Sequence, residues 1–272
     1  MPAFALEGKS LVIIGGTTGI GLSAARAFVE NGARVVVVGR NRQNAKAAQE
    51  LLGKSAVSLP GDAVNPNTAI RAIELAVRRF GKFNGLYHVA GGSGRSMGDG
   101  PLHELTDHGW RKTMDLNLTS LVFSNRAAVR QFLSQKTGGS ILNISSVLGW
   151  SPSPQHFATH AYTAAKSAVL GFSKAIAGFY ATKNIRCNVL APALVETPMA
   201  QRAAKNQKIL RFIKTKQPLD GGRIGQPTDL DAAAIYFMSD ASRFATGQVL
   251  AVDGGWCVSE GQISNKKPGR RD

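Results

Sequence analysis

Two uninterrupted apolar runs, Leu11-Val12-Ile13-Ile14 and Val35-Val36-Val37-Val38, constrain this chain more than any other feature. Neither alternates polar with apolar residues. A strand built from either must therefore be covered on both faces, which is the environment of a parallel sheet between two helix layers. Further β-rich runs follow, and together they predict strands over Ser10–Gly15, Arg34–Gly39, Ala56–Pro60, Gly85–Ala90, Ser140–Ser145, Ile185–Ala191 and Gln248–Asp253. Helix-length segments separate them: Ile20–Asn31, Asn41–Gly53, Pro66–Phe80, Thr106–Gln135, Ala161–Lys183 and Thr228–Ser239. Strand–helix alternation predicts an α/β fold, a doubly wound Rossmann-type parallel sheet with right-handed crossovers.

No repeat, linker or composition break divides the chain, so residues 1–260 are expected to form one domain and 261–272 a basic, flexible tail. Composition is 43% hydrophobic and 18% charged, which suits a soluble globular protein. No apolar run is long enough to span a bilayer, and the first residues lack the pattern of a secretory signal. Two cysteines, Cys187 and Cys257, are too few for a disulfide framework, so a cytoplasmic setting is expected.

The charge is unusual: 33 Lys+Arg against 17 Asp+Glu give a formal +16. Arg202, Lys205, Lys208, Arg211, Lys214, Lys216 and Arg223 cluster, with only Asp220 opposing them. The bland reading is a solvated face; a sharper one is attraction of anionic substrates, membranes or nucleic acid. The same stretch, Ala193–Pro218, carries Ile209, Phe212 and Ile213 at helical spacing. A helix there, following a strand's carboxyl end, is expected to act as a substrate lid near 193–218.

Gly15-Gly16-Thr17-Thr18-Gly19-Ile20-Gly21 joins the first strand to the first helix. Glycines at 15, 19 and 21 allow a tight turn and close approach of a pyrophosphate to a helix N-terminus. At the end of the second strand, NAD-binding sites usually place an acid for the ribose hydroxyls. This chain has Gly39-Arg40 instead. The forked guanidinium of Arg40 suits a 2′-phosphate, so NADP(H) is the expected cofactor and NAD(H) the alternative. Asp62 is expected either at an adenine edge or as a cap for the helix near Pro66.

Tyr162 and Lys166 are four residues apart and share a helix face. A nearby cation favours phenolate and should lower the tyrosine pKa, making the phenol a usable acid and base. Asn143-Ile144-Ser145-Ser146 ends a strand at its carboxyl edge, where ligands bind in open sheets. Asn117 sits within a long helical pattern, where a buried Asn can hold a water or bend the helix.

These motifs, in this order, resemble the short-chain dehydrogenase/reductase family from about Leu6 to Trp256. The resemblance includes Ala90-Gly91, Asn188-Val189-Leu190-Ala191-Pro192, Gly222-Arg223-Ile224-Gly225 and Val252-Asp253-Gly254-Gly255. It implies a seven-stranded parallel sheet flanked by helices. It implies a catalytic set of Asn117, Ser146, Tyr162 and Lys166. Tyr162 would exchange the proton, Ser146 would orient the carbonyl, Lys166 would bind the nicotinamide ribose, and Asn117 would hold a water. Cofactor contacts are implied for Gly15, Thr17, Thr18, Gly19, Ile20, Gly21, Arg40, Asp62, Ala63, Ala90, Gly91, Tyr162, Lys166, Pro192, Val195 and Thr197. No metal is expected. The family implies a small carbonyl or secondary alcohol as substrate and a dimer or tetramer joined through helices near 106–135 and 161–183. Val169, Phe172, Ile176 and Phe179 fit burial either in the core or between subunits.

Ser145 is the other candidate for the substrate hydroxyl, but Ser146 directly precedes Val147-Leu148-Gly149, as the family serine does. Ile14, His88 and Ala193 depart from the family's usual residues, and none of them removes a catalytic group. His88 reads as a satisfied strand histidine. The contrasting reading is a catalytically idle NADP(H)-binding regulator or a nucleic-acid-associated protein on the same fold. Retention of all four catalytic groups weighs against it, and nucleic acid is not an expected partner.

Overall fold

A computed structural model describes residues 6–261. The strands are β1 (Ser10–Ile14), β2 (Arg34–Gly39), β3 (Ala56–Pro60), β4 (Gly85–His88), β5 (Gly139–Ile144), β6 (Ile185–Pro192) and β7 (Val249–Val252). They form one seven-stranded sheet in the order β3-β2-β1-β4-β5-β6-β7, and every neighbouring pair is parallel. The order reverses between β1 and β4, which opens a crevice beyond the carboxyl ends of the central strands.

The helices are α1 (Gly19–Glu30), α2 (Arg42–Leu52), α3 (Pro66–Phe80), α4 (Asp107–Met114), α5 (Ser120–Gln135), α6 (His160–Tyr180), α7 (Gln201–Ala204), α8 (Gln207–Lys216) and α9 (Asp231–Met238). They cover both faces of the sheet, and the apolar strand runs show why. Successive side chains on a strand point to opposite faces. Leu11, Ile13, Val35 and Val37 pack with Phe28 of α1 and Phe237 of α9. Val12, Ile14, Val36 and Val38 pack with Ile73 of α3 and Phe132 of α5. Each run thus feeds two cores, and a polar residue at any central position would lie in one of them.

The long helix expected over Thr106–Gln135 is interrupted. A π-helical turn over Asp115–Thr119 separates α4 from α5. Asn117, fully buried, lies within it. Of the four apolar residues expected at a core or an interface, Val169 and Ile176 are buried and Phe172 packs against the core, while Phe179 stands exposed. Apart from Gly261, the expected flexible tail lies outside the described residues.

Candidate active site

A cavity of about 700 Å³ occupies the crevice at the carboxyl ends of the strands. Its first wall is the turn between β1 and α1. A Cβ on Gly15, where φ is +88°, would stand 2.6 Å from the backbone nitrogen of Ala90. One on Gly19, where φ is +52°, would crowd Thr197. Only glycine accepts both the backbone angle and the neighbour. Thr17, Thr18 and Ile20 complete this wall. Gly21 stands behind it, because its Cα packs against the carbonyl of Gly15 with no space for a side chain.

The N-terminus of α1 is left open. Thr18 makes no side-chain cap and the first turn holds no acid, whereas Asn41 caps α2 and Asn65 caps α3. An uncapped N-terminus facing a cavity presents free N–H groups and the positive end of the helix dipole. A glycine cradle ending on such a helix fits a pyrophosphate. Gly39, Arg40 and Asn41 line the cavity beside this turn, followed by Asp62 and Ala63. A side chain at Gly39 would overlap the hydroxyl of Thr17, so glycine there makes room for this chain's own threonine. Asp62 does not cap α3. It accepts a hydrogen bond from Val64 N–H at 3.1 Å, and Asn65 is the cap.

The opposite wall carries Ser146, Tyr162 and Lys166. Ser146 follows β5 and its hydroxyl hydrogen-bonds Tyr162. Ser145 is occupied elsewhere, donating to the carbonyl of Lys166 at 2.7 Å. Lys166 is buried, donates to the carbonyl of Ile144 at 3.1 Å, and sits 5.5 Å from the centroid of the Tyr162 ring. The expected lowering of the tyrosine pKa is not found. Burial pushes Tyr162 up to about 12, opposed by the Ser146 hydrogen bond, and burial pushes Lys166 down to about 8. Removal of both groups from water is the larger effect, since burial disfavours the charged form of each.

Asn117 does not line the cavity. Its amide nitrogen donates to the carbonyls of Gly92 at 2.8 Å and Thr113 at 2.9 Å, and its oxygen accepts from Gly92 N–H at 3.1 Å. These bonds tie the side chain to Gly92 and to the last turn of α4. They pin the Gly91–Gly92 backbone beside Lys166, with a Cβ on Gly91 only 3.4 Å from the Lys166 ammonium nitrogen. Pro192, Val195 and Thr197 close the cavity from the end of β6 onwards, and Ala90 and Gly91 from the end of β4.

His88 is buried on β4 with Ser124 at 2.8 Å from Nδ1 and Ser120 at 3.4 Å from Nε2. Burial and the charge of Lys166 push it down to about 3, so it is a neutral structural residue.

Sequence reasoning missed Asp99. This buried carboxylate, carried by the loop after β4, accepts from Ala161 N–H at 3.0 Å and Tyr162 N–H at 2.9 Å. It caps α6 in place of Thr159, which makes no side-chain cap. Nothing near Asp99 in the chain announces a cap for a helix some sixty residues away, so no local signal exists. Phe157, Arg95, Arg202 and Trp256 also line the cavity. Ile209 and Ile213 of α8 are buried, and Phe212 meets Trp256 edge-on with ring centroids 5.7 Å apart, so the predicted apolar helix face packs against the cavity's outer wall. Arg223, placed by charge among the basic cluster, is ion-paired with both Asp220 and Asp229.

A family model described as Enoyl-(Acyl carrier protein) reductase matches residues 15–257. The L-rhamnose-1-dehydrogenase of Scheffersomyces stipitis is 33% identical over 261 residues, covering 93% of this chain and 98% of the relative. The 3-oxoacyl-[acyl-carrier-protein] reductase of Chlamydia muridarum is 35% identical over 254 residues, covering 92% and 98%. A solved short-chain type dehydrogenase/reductase from Mycobacterium ulcerans superposes with a TM-score of 0.86 at 29% identity, covering 94% of this chain and 92% of that one. The chain belongs to the short-chain dehydrogenase/reductase family. It is an NAD(P)-dependent oxidoreductase of alcohol and carbonyl groups. Among the described residues no helix is long and apolar enough to cross a membrane, and no side-chain cluster could hold a metal.

Proposed function

We propose that this enzyme uses NADP(H), with Tyr162 as the group that gives and takes the proton. The observation that carries the reading is the meeting of Tyr162, Ser146 and Lys166 in one cavity with the open N-terminus of α1 and its glycine cradle. Arg40 lines the cavity beside that cradle, where it would hold the 2′-phosphate through paired N–H donors. Lys166 and the Gly91 backbone it adjoins would hold the nicotinamide ribose.

When bound, the nicotinamide supplies or accepts the hydride. In the reducing direction the carbonyl oxygen lies between the hydroxyls of Ser146 and Tyr162. Ser146 donates a hydrogen bond and polarises the carbonyl. Tyr162 would transfer its proton to that oxygen, and with the hydride that a bound nicotinamide would supply to the carbon the product is the alcohol. The phenolate left behind is stabilised by the Lys166 ammonium and reprotonated from solvent. Oxidation runs the same steps backwards, with Tyr162 accepting the alcohol proton. Residues 193–218, whose helix α8 packs on Trp256, would cover the bound substrate. Phe179, exposed on α6, supports assembly of copies through that helix.

The test is oxidation of NADPH and of NADH over a panel of ketones and aldehydes, repeated with Tyr162→Phe. Turnover with NADPH that collapses in the variant while cofactor binding persists supports the reading. Cofactor binding without turnover of any carbonyl or alcohol would favour the idle binder instead.

A further inference from the structure

We propose that the substrate carries an anionic group, a carboxylate or a phosphate, held between Arg95 and Arg202 at the end of the cavity away from Arg40. This rests on the reading of Tyr162 and Ser146 as the reacting end. Arg95 belongs to the turn Arg95–Met97 after β4, and Arg202 belongs to α7; both line the cavity that holds Tyr162.

Neither guanidinium makes an ion pair among those of the described residues. Arg95 makes one long bond, to the carbonyl of His156 at 3.3 Å. Asp99, the acid whose charge acts on Arg95, has both oxygens occupied by the N-terminus of α6. Among the described residues Asp62 is the only acid lining the cavity, and it lies on the Arg40 side. The two arginines also oppose each other. Burial and then the charge of Arg202 hold Arg95 below the ordinary arginine range, with Asp99 working the other way.

Two unpaired like charges at one cavity wall are an unfavourable arrangement that an anion between them would relieve. Guanidinium forks match carboxylate and phosphate oxygens. Arg40 serves the cofactor's phosphate at the far end in the reading above, so these two cations are left for something else. Leu148, Phe157 and Trp256 offer apolar surface for the body of the same molecule. The formal charge of +16 would speed encounter with an anion.

The test pairs neutral and charged carbonyls: methyl levulinate against levulinate, and dihydroxyacetone against its phosphate. Each is assayed with NADPH on the full chain, Arg95→Gln, Arg202→Gln and, as a control on the lid's exposed face, Lys208→Gln. Inert pentanoate and propyl phosphate are titrated in parallel into the protein–NADP+ complex, read by tryptophan fluorescence. The anionic member of a pair should be favoured about tenfold or more. That ratio should fall toward one in either arginine variant and persist in Lys208→Gln. Preference for levulinate or for the phosphate says which anion the seat takes. Equal use of neutral and charged carbonyls, with Tyr162-dependent turnover intact, overturns this proposal alone. So does a preference that survives in Arg202→Gln, a variant of an exposed side chain whose folding is not at issue, or a loss of NADPH affinity in that variant. Arginine-dependent binding of pentanoate or propyl phosphate without turnover of any carbonyl leaves the anion seat standing and overturns the oxidoreductase assignment of Tyr162.

Discussion

The two ends of the cavity are built on different principles. At the Arg40 end, the shape is set by backbone: Gly15, Gly19 and Gly21 sit where a Cβ would meet neighbouring atoms, and α1 presents its own N–H groups. At the Arg202 end, the wall is made of side chains from separate loops: Arg95 after β4, Phe157 after β5, Arg202 on α7 and Trp256 after β7. A backbone-built end is hard to change without breaking the turn. A side-chain-built end can be rewritten one residue at a time. One fold can therefore keep its cofactor while its substrate varies, as the sugar and acyl-carrier names of its relatives illustrate.

The sharpest way to break this contrast is at the junction of the two ends. Tyr162→Phe removes one hydroxyl and leaves the ring. Turnover should fall by about 10²–10⁴-fold, with NADPH affinity unchanged. Steady-state assays beside a cofactor titration check this, and near-parental turnover would remove Tyr162 from the chemistry.

A smaller effect tests the backbone-built end. Arg40 is a side chain on an otherwise backbone-shaped wall, so it should set cofactor choice and little else. Arg40→Ala should weaken NADPH binding by about 10–100-fold, the range of a charge-assisted hydrogen bond, and leave NADH binding nearly unchanged. Equal losses for both cofactors would show a general structural role.

Smaller again is the cap that joins the two ends. Asp99 takes the N–H groups of Ala161 and Tyr162, so it positions the helix that bears Tyr162 and Lys166. Asp99→Ala leaves one buried and one part-buried donor without their acceptor and should cost about 1–3 kcal/mol in thermal or urea unfolding. Asp99→Asn keeps one acceptor oxygen and should recover part of that loss. If turnover falls more than stability in Asp99→Ala and Asn restores it, the cap positions Tyr162 as well as stabilising α6.

Legibility in the sequence followed the same division. The strands were legible because burial on both faces leaves uninterrupted apolar runs such as Val35–Val38. The glycine turn, Ser146 and the Tyr162/Lys166 pair were legible because each is a local pattern attached to a strand end or a helix face. The extent of the π turn at Asp115–Thr119 was not, because the bonds Asn117 makes from it to Gly92 cross to another loop. Asp99, Arg95 and Arg202 were invisible as a group for the same reason: their partners come together only in three dimensions. The expected lowering of the Tyr162 pKa failed because helical spacing places a cation nearby but does not report how far both groups are removed from water.

That last point supplies the smallest test, a pH dependence in the cofactor-free protein. Lys166 is pushed down to about 8 from the ordinary lysine value of 10.5. Between those values the unfolded chain holds more protons at this site than the folded one. Stability contributed by this residue must therefore rise with pH across that window, since stability rises wherever the unfolded state binds more protons. Tyr162 is pushed the other way, up to about 12 from 10.0, so its contribution falls as pH climbs beyond 10. The two windows hardly overlap, and a shallow rise from pH 8 to 9, below the range in which Cys187 and Cys257, both pushed up by burial, work the other way, should be attributable to Lys166. Lys166→Met keeps most of the volume and removes the charge, so it should abolish the rise and stabilise the cofactor-free protein at pH 7. Denaturant unfolding at pH 7, 8, 9 and 10 of the parent and the variant measures both effects. A parent slope that persists in Lys166→Met would assign the titration to another group, and it would leave Lys166 as an ordinary ammonium whose place beside Tyr162 costs the fold nothing.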